Sequence, residues 1–395
     1  MSATRPPATW LATLHFAKGM AYVVVTVISL LMFSQLGLGV ALTVGLVALC
    51  HLPWVLKCWW KPRVAAALDW RRWVLLTQLL LAASFVAMAF AFPSVWQLFA
   101  LLMLTAFLTA IHNVAADALS AHGDDQGHHR LMRELSRKFA SVVGQGVLVM
   151  MAGNLQVFFR NDVRFSWQLV FFLVAALFLL LFVWHAYRLP SAVASGAGVA
   201  APSAVPATGG VWRLVAYLFF YAFAQGMQAK VSVLFLMTPL RGGGLGLSPQ
   251  EFGLVMGTLG IIGLTAGGLL GTLAIRRFGW HRCQWPMAAA MLVPGAVYLL
   301  LSLRQPGGLH VVCLSVVAEQ TAFGFGFAAY LWLLRHIAWR EYGKSLMALS
   351  LLLSGVCAGA LQEAVGYANF FALIFALGAL TLLSAGLLRK IPTKK

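Results

Sequence analysis

A histidine, a lysine and a tyrosine lie within an apolar stretch near the start of the chain, ATLHFAKGMAYVV (12–24). On an α-helix His15, Lys18 and Tyr22 share one face, because residues at i, i+3 and i+7 lie on the same side. A lysine within a membrane costs at least about 2.5 kcal/mol, so it needs a partner or a function. We expect this face to bind substrate or carry protons; the alternative is a structural ion pair or hydrogen bond.

A second polar face occurs later in the chain, in another apolar stretch. Tyr217, Tyr221, Gln225 and Gln228 recur at intervals of three or four residues, which predicts one continuous helical face lining a substrate cavity. Lys230 lies on a different side of the same helix. It is predicted either to extend to the outer membrane surface or to bind a ligand.

Glu319 is the acid placed deepest within an apolar stretch, in VAEQTAFGFGFAAYLW (317–332). Gln320 and Tyr330 add polar groups to the same helix, and we expect all three side chains to contact substrate. An isolated carboxylate is costly to bury. Glu319 is therefore predicted either to accept a proton or to pair with a buried lysine.

The stretch AIHNVAADAL (110–119) contains His112, Asn113 and Asp117, and the last two are one helical turn apart. His112 is a candidate for substrate binding and for proton coupling, since histidine titrates near neutral pH. Asp117 is predicted either to take part in transport or to gate the pathway by pairing with Arg71 or Arg72.

His51 occupies a similar setting in HLPWVLKCWW (51–60), ahead of Pro53 and Lys57. One interpretation is a hydrogen-bonded packing residue. The other makes His51 a substrate-binding residue and, with Glu319 and His112, a candidate for proton coupling.

Helices long enough to cross a bilayer must position these residues. The sequence is 61% hydrophobic and 10% charged, whereas soluble domains are about half apolar and about a quarter charged. Its apolar residues form runs of about 20, the length of helix that spans a bilayer core. The predicted fold is an all-α membrane protein with twelve transmembrane helices. Their predicted bounds are 9–34, 38–60, 73–92, 95–117, 131–157, 165–187, 212–238, 248–275, 284–303, 307–333, 345–366 and 368–388.

The net charge of +18 follows from membrane topology rather than from nucleic-acid binding. If the N-terminus is cytoplasmic, most lysines and arginines outside the spans fall in inner loops and tails. The outer loops then contain Arg160, Arg164, Arg241 and Arg304. This asymmetry fits the positive-inside rule and predicts that both termini are cytoplasmic.

A charge-free stretch rich in Ala, Gly, Ser and Pro, LPSAVASGAGVAAPSAVPATGG, divides the twelve predicted spans six and six. It is predicted to be a cytoplasmic linker over 189–210, between N-terminal and C-terminal six-helix bundles over 1–188 and 211–395. RELSRKFASVVGQG and REYGKSLMALSLLL begin at Arg133 and Arg340, the corresponding position in each half. Two pseudo-symmetric bundles indicate a transporter of the major facilitator type, with substrate bound at mid-membrane.

Motifs for other classes of protein do not occur. The five cysteines lack CxxC spacing, and no P-loop, hydrolase elbow or metalloenzyme motif is present. The histidines and aspartates of AHGDDQGHHR (121–130) are predicted to form a solvated loop rather than a metal site. We therefore expect no enzyme activity, no cofactor and no bound metal, and an ion or substrate gradient as the energy source.

Three stretches resemble the muropeptide-permease and acetyl-CoA-transporter family of the major facilitator superfamily. They are CHLPWVLKCWWKPRVAAALDWRRWVLLTQLLLA (50–82), TAIHNVAADAL (109–119) and AEQTAFGFGFAAYLWLL (318–334). The family's Leu-Pro-x-x-x-Lys-x-x-Trp-x-Pro pattern corresponds here to Leu52, Pro53, Lys57, Trp60 and Pro62. Its Gln-Asp-x-x-x-Asp pattern corresponds to His112, Asn113 and Asp117, so an asparagine replaces the first acid.

The opening LHFAKGMAYVVV and the length of 395 residues look closer to siderophore permeases of the pyochelin and rhizobactin uptake type. The resemblance implies a monomeric, multi-pass importer in the bacterial inner membrane that carries a ferric siderophore from periplasm to cytoplasm by alternating access. Proton symport is the expected energy source. The alternatives are a permease for muropeptides or other peptidoglycan fragments, and efflux of amphipathic small molecules.

Overall fold

The computed structural model describes residues 8–123, 129–190, 211–337 and 339–387. Within these ranges the chain forms helices joined by turns and contains no strand. Parts of two predicted segments, the 189–210 linker and the His/Asp-rich loop at 121–130, lie outside the described residues.

Twelve helical elements are numbered here in chain order. They are α1 (Thr9–Gln35), α2 (Val40–Val55), α3 (Lys57–Ala67), α4 (Trp70–Phe90), α5 (Val95–Gly123), α6 (Arg130–Phe158), α7 (Val163–Arg188), α8 (Val211–Met237), α9 (Pro249–Phe278), α10 (Trp280–Arg304), α11 (Leu309–His336) and α12 (Arg340–Leu387). A π-helical segment interrupts α1 at Val24–Ile28, α6 at Val142–Leu148 and α9 at Gly253–Gly260.

Most of these helices are long and apolar enough to cross a bilayer. The described residues contain 9 such helices, or 10 when α2 and α3 are counted as one bent span. Helix α8 is not among them, since it contains Lys230 and two glutamines besides Arg213 near its start. The prediction of an all-helical, multi-pass membrane protein is confirmed, and the count of twelve stays a prediction.

Two predicted boundaries differ from the structure in an informative way. The second predicted span, 38–60, is a pair of helices bent by 57° that continues to Ala67. The last two predicted spans belong to one element, α12, whose single non-helical residue is Gly366 with φ of +77°. Glycine adopts this left-handed conformation without a steric penalty, so it marks the break between them.

The described chain forms two compact units. The first unit contains residues 8–32 and 56–190, and the second contains 33–55 with 211–337 and 339–387. In the first unit, α4 packs against α5 and α7, and α1 packs against α6. In the second unit, α8 packs against α12 and α9 against α11, while α2 also lies on α12.

Glycines bring the backbones of α9 and α11 into direct contact. A Cβ added to Gly267 would lie 2.0 Å from the Thr321 carbonyl oxygen, and one added to Gly263 would lie 2.8 Å from that of Val317. From the other side, a Cβ on Gly324 would lie 2.3 Å from the Leu264 carbonyl oxygen. Small residues permit such close helix packing within membranes, and these contacts leave α9 and α11 no room for larger side chains.

Candidate functional site

The polar face predicted on α1 is part of an ion pair in the first unit. Lys18 donates to the Asp117 carboxylate of α5 through its ammonium group. The Lys18 side chain is 12% exposed and that of Asp117 is 47% exposed. Burial of the lysine therefore has a charge partner, as an intramembrane cation requires.

His15 lies one turn before Lys18 and is buried. Its Nε2 is 2.9 Å from the hydroxyl of Ser120 on α5, and that hydroxyl donates its proton to the Ala116 carbonyl, 2.6 Å away. Because a serine has one proton to donate, His15 Nε2 must be the donor to Ser120. His15 Nδ1 is buried and has no hydrogen-bond partner among the described residues.

Further charged side chains act on this ion pair. Lys57 and Arg137 both lie close enough to Lys18 to repel its charge. Arg137 pairs with Glu134 of its own helix. Tyr22, predicted on the same face as Lys18, is half-exposed rather than buried with it. The first unit thus places two lysines and an arginine in one charged cluster with the carboxylates of Asp117 and Glu134, and such cations can donate to an anionic group.

His112 and Asn113 precede Asp117 on α5, and each has one buried polar atom without a hydrogen-bond partner among the described residues. His112 is fully buried, and its Nδ1 is 3.1 Å from the hydroxyl of Thr77 on α4. The Nε2 of His112 and the Oδ1 of Asn113 are buried without a hydrogen-bond partner in the described chain. Both side chains can therefore accept a hydrogen bond from a ligand or water.

The predicted pairing of Asp117 with Arg71 or Arg72 is wrong. Arg72 instead binds Asp69, with Nε 3.0 Å from Oδ2, and Arg71 donates to the Ala186 carbonyl at 2.7 Å. Asp69 caps the N-terminus of α4, so local helix capping fixes Arg72. A gating role for these residues stays a prediction.

The second unit contains a cavity of about 60 Å³ beside Glu319. Side chains of α8, α9, α10 and α11 line it: Gln225, Gln228, Ala229, Ser232, Met256, Tyr298, Glu319, Gln320 and Phe323. Three of the predicted substrate-binding glutamines and the predicted acid therefore lie together. Their amide and carboxylate groups give the cavity a polar wall within an otherwise apolar helix bundle.

Neutral groups bind the Glu319 carboxylate, which is 2% exposed. Its Oε1 accepts from the Tyr298 hydroxyl at 3.2 Å and from Gln320 Nε2 at 2.9 Å. Lys230, the buried lysine of α8, donates to the Leu351 carbonyl at 3.1 Å instead. The second alternative for Glu319, pairing with a buried lysine, is therefore not what the described residues show.

The three predicted tyrosines belong to the packed core of the second unit rather than to this cavity. Tyr217, Tyr221 and Tyr330 are fully buried, and their ring centroids are 4.9 to 6.2 Å apart. Tyr221 donates to the Gly326 carbonyl at 2.8 Å and Tyr330 to the Leu218 carbonyl at 3.0 Å. The expected helical face thus divides, with its tyrosine half in the core and its glutamine half at the cavity.

His51 is buried in the second unit, within α2 and ahead of the bend that separates α2 from α3. Its Nδ1 lies 3.3 Å from the Ala48 carbonyl, which agrees with the packing interpretation. Lys230 lies close enough to act on His51 electrostatically. Lys230 is itself only 7% exposed, so extension to the outer surface is not its arrangement here.

Two solved transporter structures superimpose on this chain. The nucleoside transporter NupG superimposes with a TM-score of 0.69 at 13% identity, over 98% of this chain and 100% of that chain. The inward-open xylose transporter XylE from E. coli gives 0.69 at 13% identity, over 98% and 96%. The chain has the major facilitator fold. No family model matches the sequence.

Two curated proteins with related sequences are transporters. The anhydromuropeptide permease of Escherichia coli K12 is 25% identical over 354 residues, which are 83% of this chain and 69% of that protein. A protein of Rickettsia conorii named "Putative transporter AmpG 4" is 21% identical over 402 residues, 94% of each chain. These names agree with the muropeptide alternative and not with a siderophore permease.

Sequence reasoning missed two polar residues of the cavity in this facilitator fold, Tyr298 and Ser232. Tyr298 occurs in the apolar stretch VPGAVYLLLSLR of α10. A tyrosine hydroxyl in such a stretch is a signal that could have pointed to a buried polar partner. Ser232 follows Gln228 by one helical turn and continues its face, so the same periodicity would have found it.

Proposed function

We propose that this chain is a secondary transporter that carries anhydromuropeptide-type fragments of peptidoglycan from the periplasm to the cytoplasm by alternating access. The observation that carries the proposal is sequence similarity to the E. coli anhydromuropeptide permease over 83% of this chain. The major facilitator fold supports it, since this fold binds substrate within the membrane between its helices.

The chemistry of the two units supports the same class of substrate. A muropeptide presents carboxylates and amides, and the first unit concentrates Lys18, Lys57 and Arg137 around Asp117. The second unit offers glutamine amides and a carboxylate at the cavity beside Glu319. His15, Lys18, Gln225, Gln228, Glu319 and Gln320 are the proposed substrate-binding residues.

The siderophore cargo expected from the opening of the sequence has less support, because the relatives are named for muropeptides. Asn113 replaces the first acid of the family pattern on the fourth predicted span. We propose that this substitution changes the detail of recognition in the first unit and leaves the class of cargo unchanged. Lys18 and Asp117 form an ion pair without the missing acid.

The proposed topology is twelve crossings of the bacterial inner membrane with both termini in the cytoplasm and the two halves joined at 189–210. The break at Gly366 supports counting α12 as two crossings, and the helix α8 supplies a further one. We propose that the protein works as a monomer in the bilayer. A proton gradient is the proposed energy source, with Glu319, His51 and His112 as candidate proton carriers.

Uptake into proteoliposomes tests the proposal. Purified protein is reconstituted, an inward proton gradient is imposed, and accumulation of a radiolabelled anhydromuropeptide is compared with that in protein-free vesicles. We expect saturable uptake that falls when the gradient is collapsed. Uptake no greater than in protein-free vesicles would overturn the proposal, and uptake of a ferric siderophore instead would favour the other cargo.

A further inference from the structure

The cavity in the second unit contains an acceptor that no side chain of the described residues uses. Both hydrogen bonds to the Glu319 carboxylate, from Tyr298 and from Gln320, fall on Oε1. Within the four described ranges nothing donates to Oε2. Since Glu319 is one of the residues lining the cavity, this oxygen is available to a group that enters it.

Gln228 provides a second unused acceptor at the same cavity. The side chain is 3% exposed, and its Oε1 finds no hydrogen-bond partner in the described part of the chain. A buried polar atom without a partner costs about 1–3 kcal/mol. Gln228 on α8 and Glu319 on α11 therefore both line the cavity, and each has a side-chain oxygen that accepts no hydrogen bond from the described residues.

The charge of Glu319 also lacks a counter-ion. Among the described residues no salt bridge involves it, and Lys230 is bound to the Leu351 carbonyl. A hydroxyl or amide from a ligand would satisfy the hydrogen bond and leave the charge unbalanced. Burying an unpaired carboxylate is strongly unfavourable, so the complementary group is a cation that also donates hydrogen bonds.

The size of the cavity selects among such cations. Its volume is about 60 Å³, whereas a single water needs roughly 10–15 Å³ by this type of measure. The space therefore holds several water-sized groups, which is enough for an ammonium and the carbon that carries it. An ammonium has three donors, so one such group can donate to more than one of the acceptors that line the cavity.

We propose that this cavity binds a primary ammonium group of the transported molecule, with Glu319 as its charge partner and Gln228 as a second acceptor. The inference rests on the proposed function, because it assigns the ammonium to a free amine in the peptide part of the fragment. Glu319 then binds substrate, which leaves His51 and His112 as the candidate proton carriers.

Transport of two matched compounds tests the proposal. One is an anhydromuropeptide whose peptide carries one free primary amine, and the other is the same compound with that amine acetylated. Acetylation removes the charge and adds an acetyl group, and the bulk of that group is the same whether the wild type or a variant is assayed. Because a hydrogen bond to a charged group contributes about 1.5–3 kcal/mol, we expect wild-type protein to prefer the free amine roughly tenfold to a hundredfold in uptake.

Substitutions of Glu319 test whether this residue causes the preference for the free amine. Glu319→Gln should reduce the ratio of the two uptake rates to within about twofold, and Glu319→Asp should retain part of the preference. Glu251→Gln is the matched control, since it removes one charge from the same unit and a glutamine can replace glutamate in the capping box with Ser248. Equal uptake of both compounds by the wild type, or an unchanged preference in Glu319→Gln, would overturn the inference.

A binding assay separates this inference from the proposed function. Ethylammonium should raise the thermal unfolding temperature of the detergent-purified wild type and not that of Glu319→Gln, which would support the ammonium site even if no muropeptide enters vesicles. A shift of equal size in both proteins, or none in either, would refute it. If Glu319 instead only carries a proton, Glu319→Gln will alter the pH dependence of uptake equally for both compounds and keep the amine preference.

Discussion

Replacing Lys18 separates a role in transport from a role in holding the fold. Asp117 keeps 47% of its side chain exposed, so water compensates its charge when the lysine is lost. Exposed ion pairs contribute about 0–1 kcal/mol, whereas breaking a fully buried pair costs about 3–5 kcal/mol. We expect Lys18→Met to lower the stability by about 1 kcal/mol and to leave expression and detergent elution profile unchanged.

The effect of Lys18→Met on uptake should be much larger than its effect on stability. Lys18 is only 12% exposed, so an ammonium that binds a substrate carboxylate there contributes about 1.5–3 kcal/mol. That free energy corresponds to a loss of roughly 10- to 150-fold in uptake at limiting substrate. Initial rates in proteoliposomes at matched protein density measure it.

The exchange variant, Lys18→Asp with Asp117→Lys, tests the reasoning further. It restores the opposite charges of the pair, so a purely structural pair predicts that both stability and uptake recover. A lysine that also binds substrate predicts recovery of stability alone, because its ammonium has moved to α5. Uptake by Lys18→Met within twofold of the wild type would refute the functional role of this residue.

Three further substitutions have defined outcomes. Gly267→Ala should prevent correct packing of α9 on α11 and shift the protein to aggregates in fluorescence-detected size-exclusion chromatography. The neighbouring Gly268→Ala is the control and should elute normally, because an added Cβ there would lie 4.0 Å from its nearest neighbour. Normal elution of both variants would contradict the packing argument. Tyr298→Phe removes one hydrogen bond to Glu319, worth about 1 kcal/mol, and should lower uptake roughly fivefold, whereas an unchanged rate would show that this bond is dispensable. Lys230→Met removes a buried ammonium that has no carboxylate partner in the described chain, so it should raise the thermal unfolding temperature. A fall of several degrees would show instead that the charge stabilises the protein.

The intramembrane ionisable residues were the part of the site that sequence predicted best. Because a charge in an apolar helix is costly, Lys18 and Glu319 could be singled out from position alone. Their partners could not. Asp117 is 99 residues from Lys18, and from sequence alone an arginine of a basic loop was an equally reasonable partner for Asp117. The structure shows that α1 and α5 pack side by side, which brings Lys18 to Asp117.

Periodicity predicted a shared helical face on α8 but not what that face contacts. Tyr217 and Tyr221 follow the same spacing as Gln225 and Gln228, yet the tyrosines pack against Tyr330 and the glutamines line the cavity. A helical repeat gives the direction of a side chain and carries no information on whether a neighbouring helix fills the space. Length and hydropathy predicted the helices themselves, since a bilayer sets both.

The contact between α9 and α11 has a consequence for the cavity beside Glu319. Where backbone meets backbone at Gly263, Gly267 and Gly324, the two helices cannot tilt or rotate against each other without collision. Any change of shape in the second unit must therefore carry α9 and α11 as a single block. Met256 of α9 and Gln320 of α11 are in contact beside the cavity, with Gln320 Nε2 3.9 Å from the Met256 sulfur, so these two walls of the cavity move together with the block.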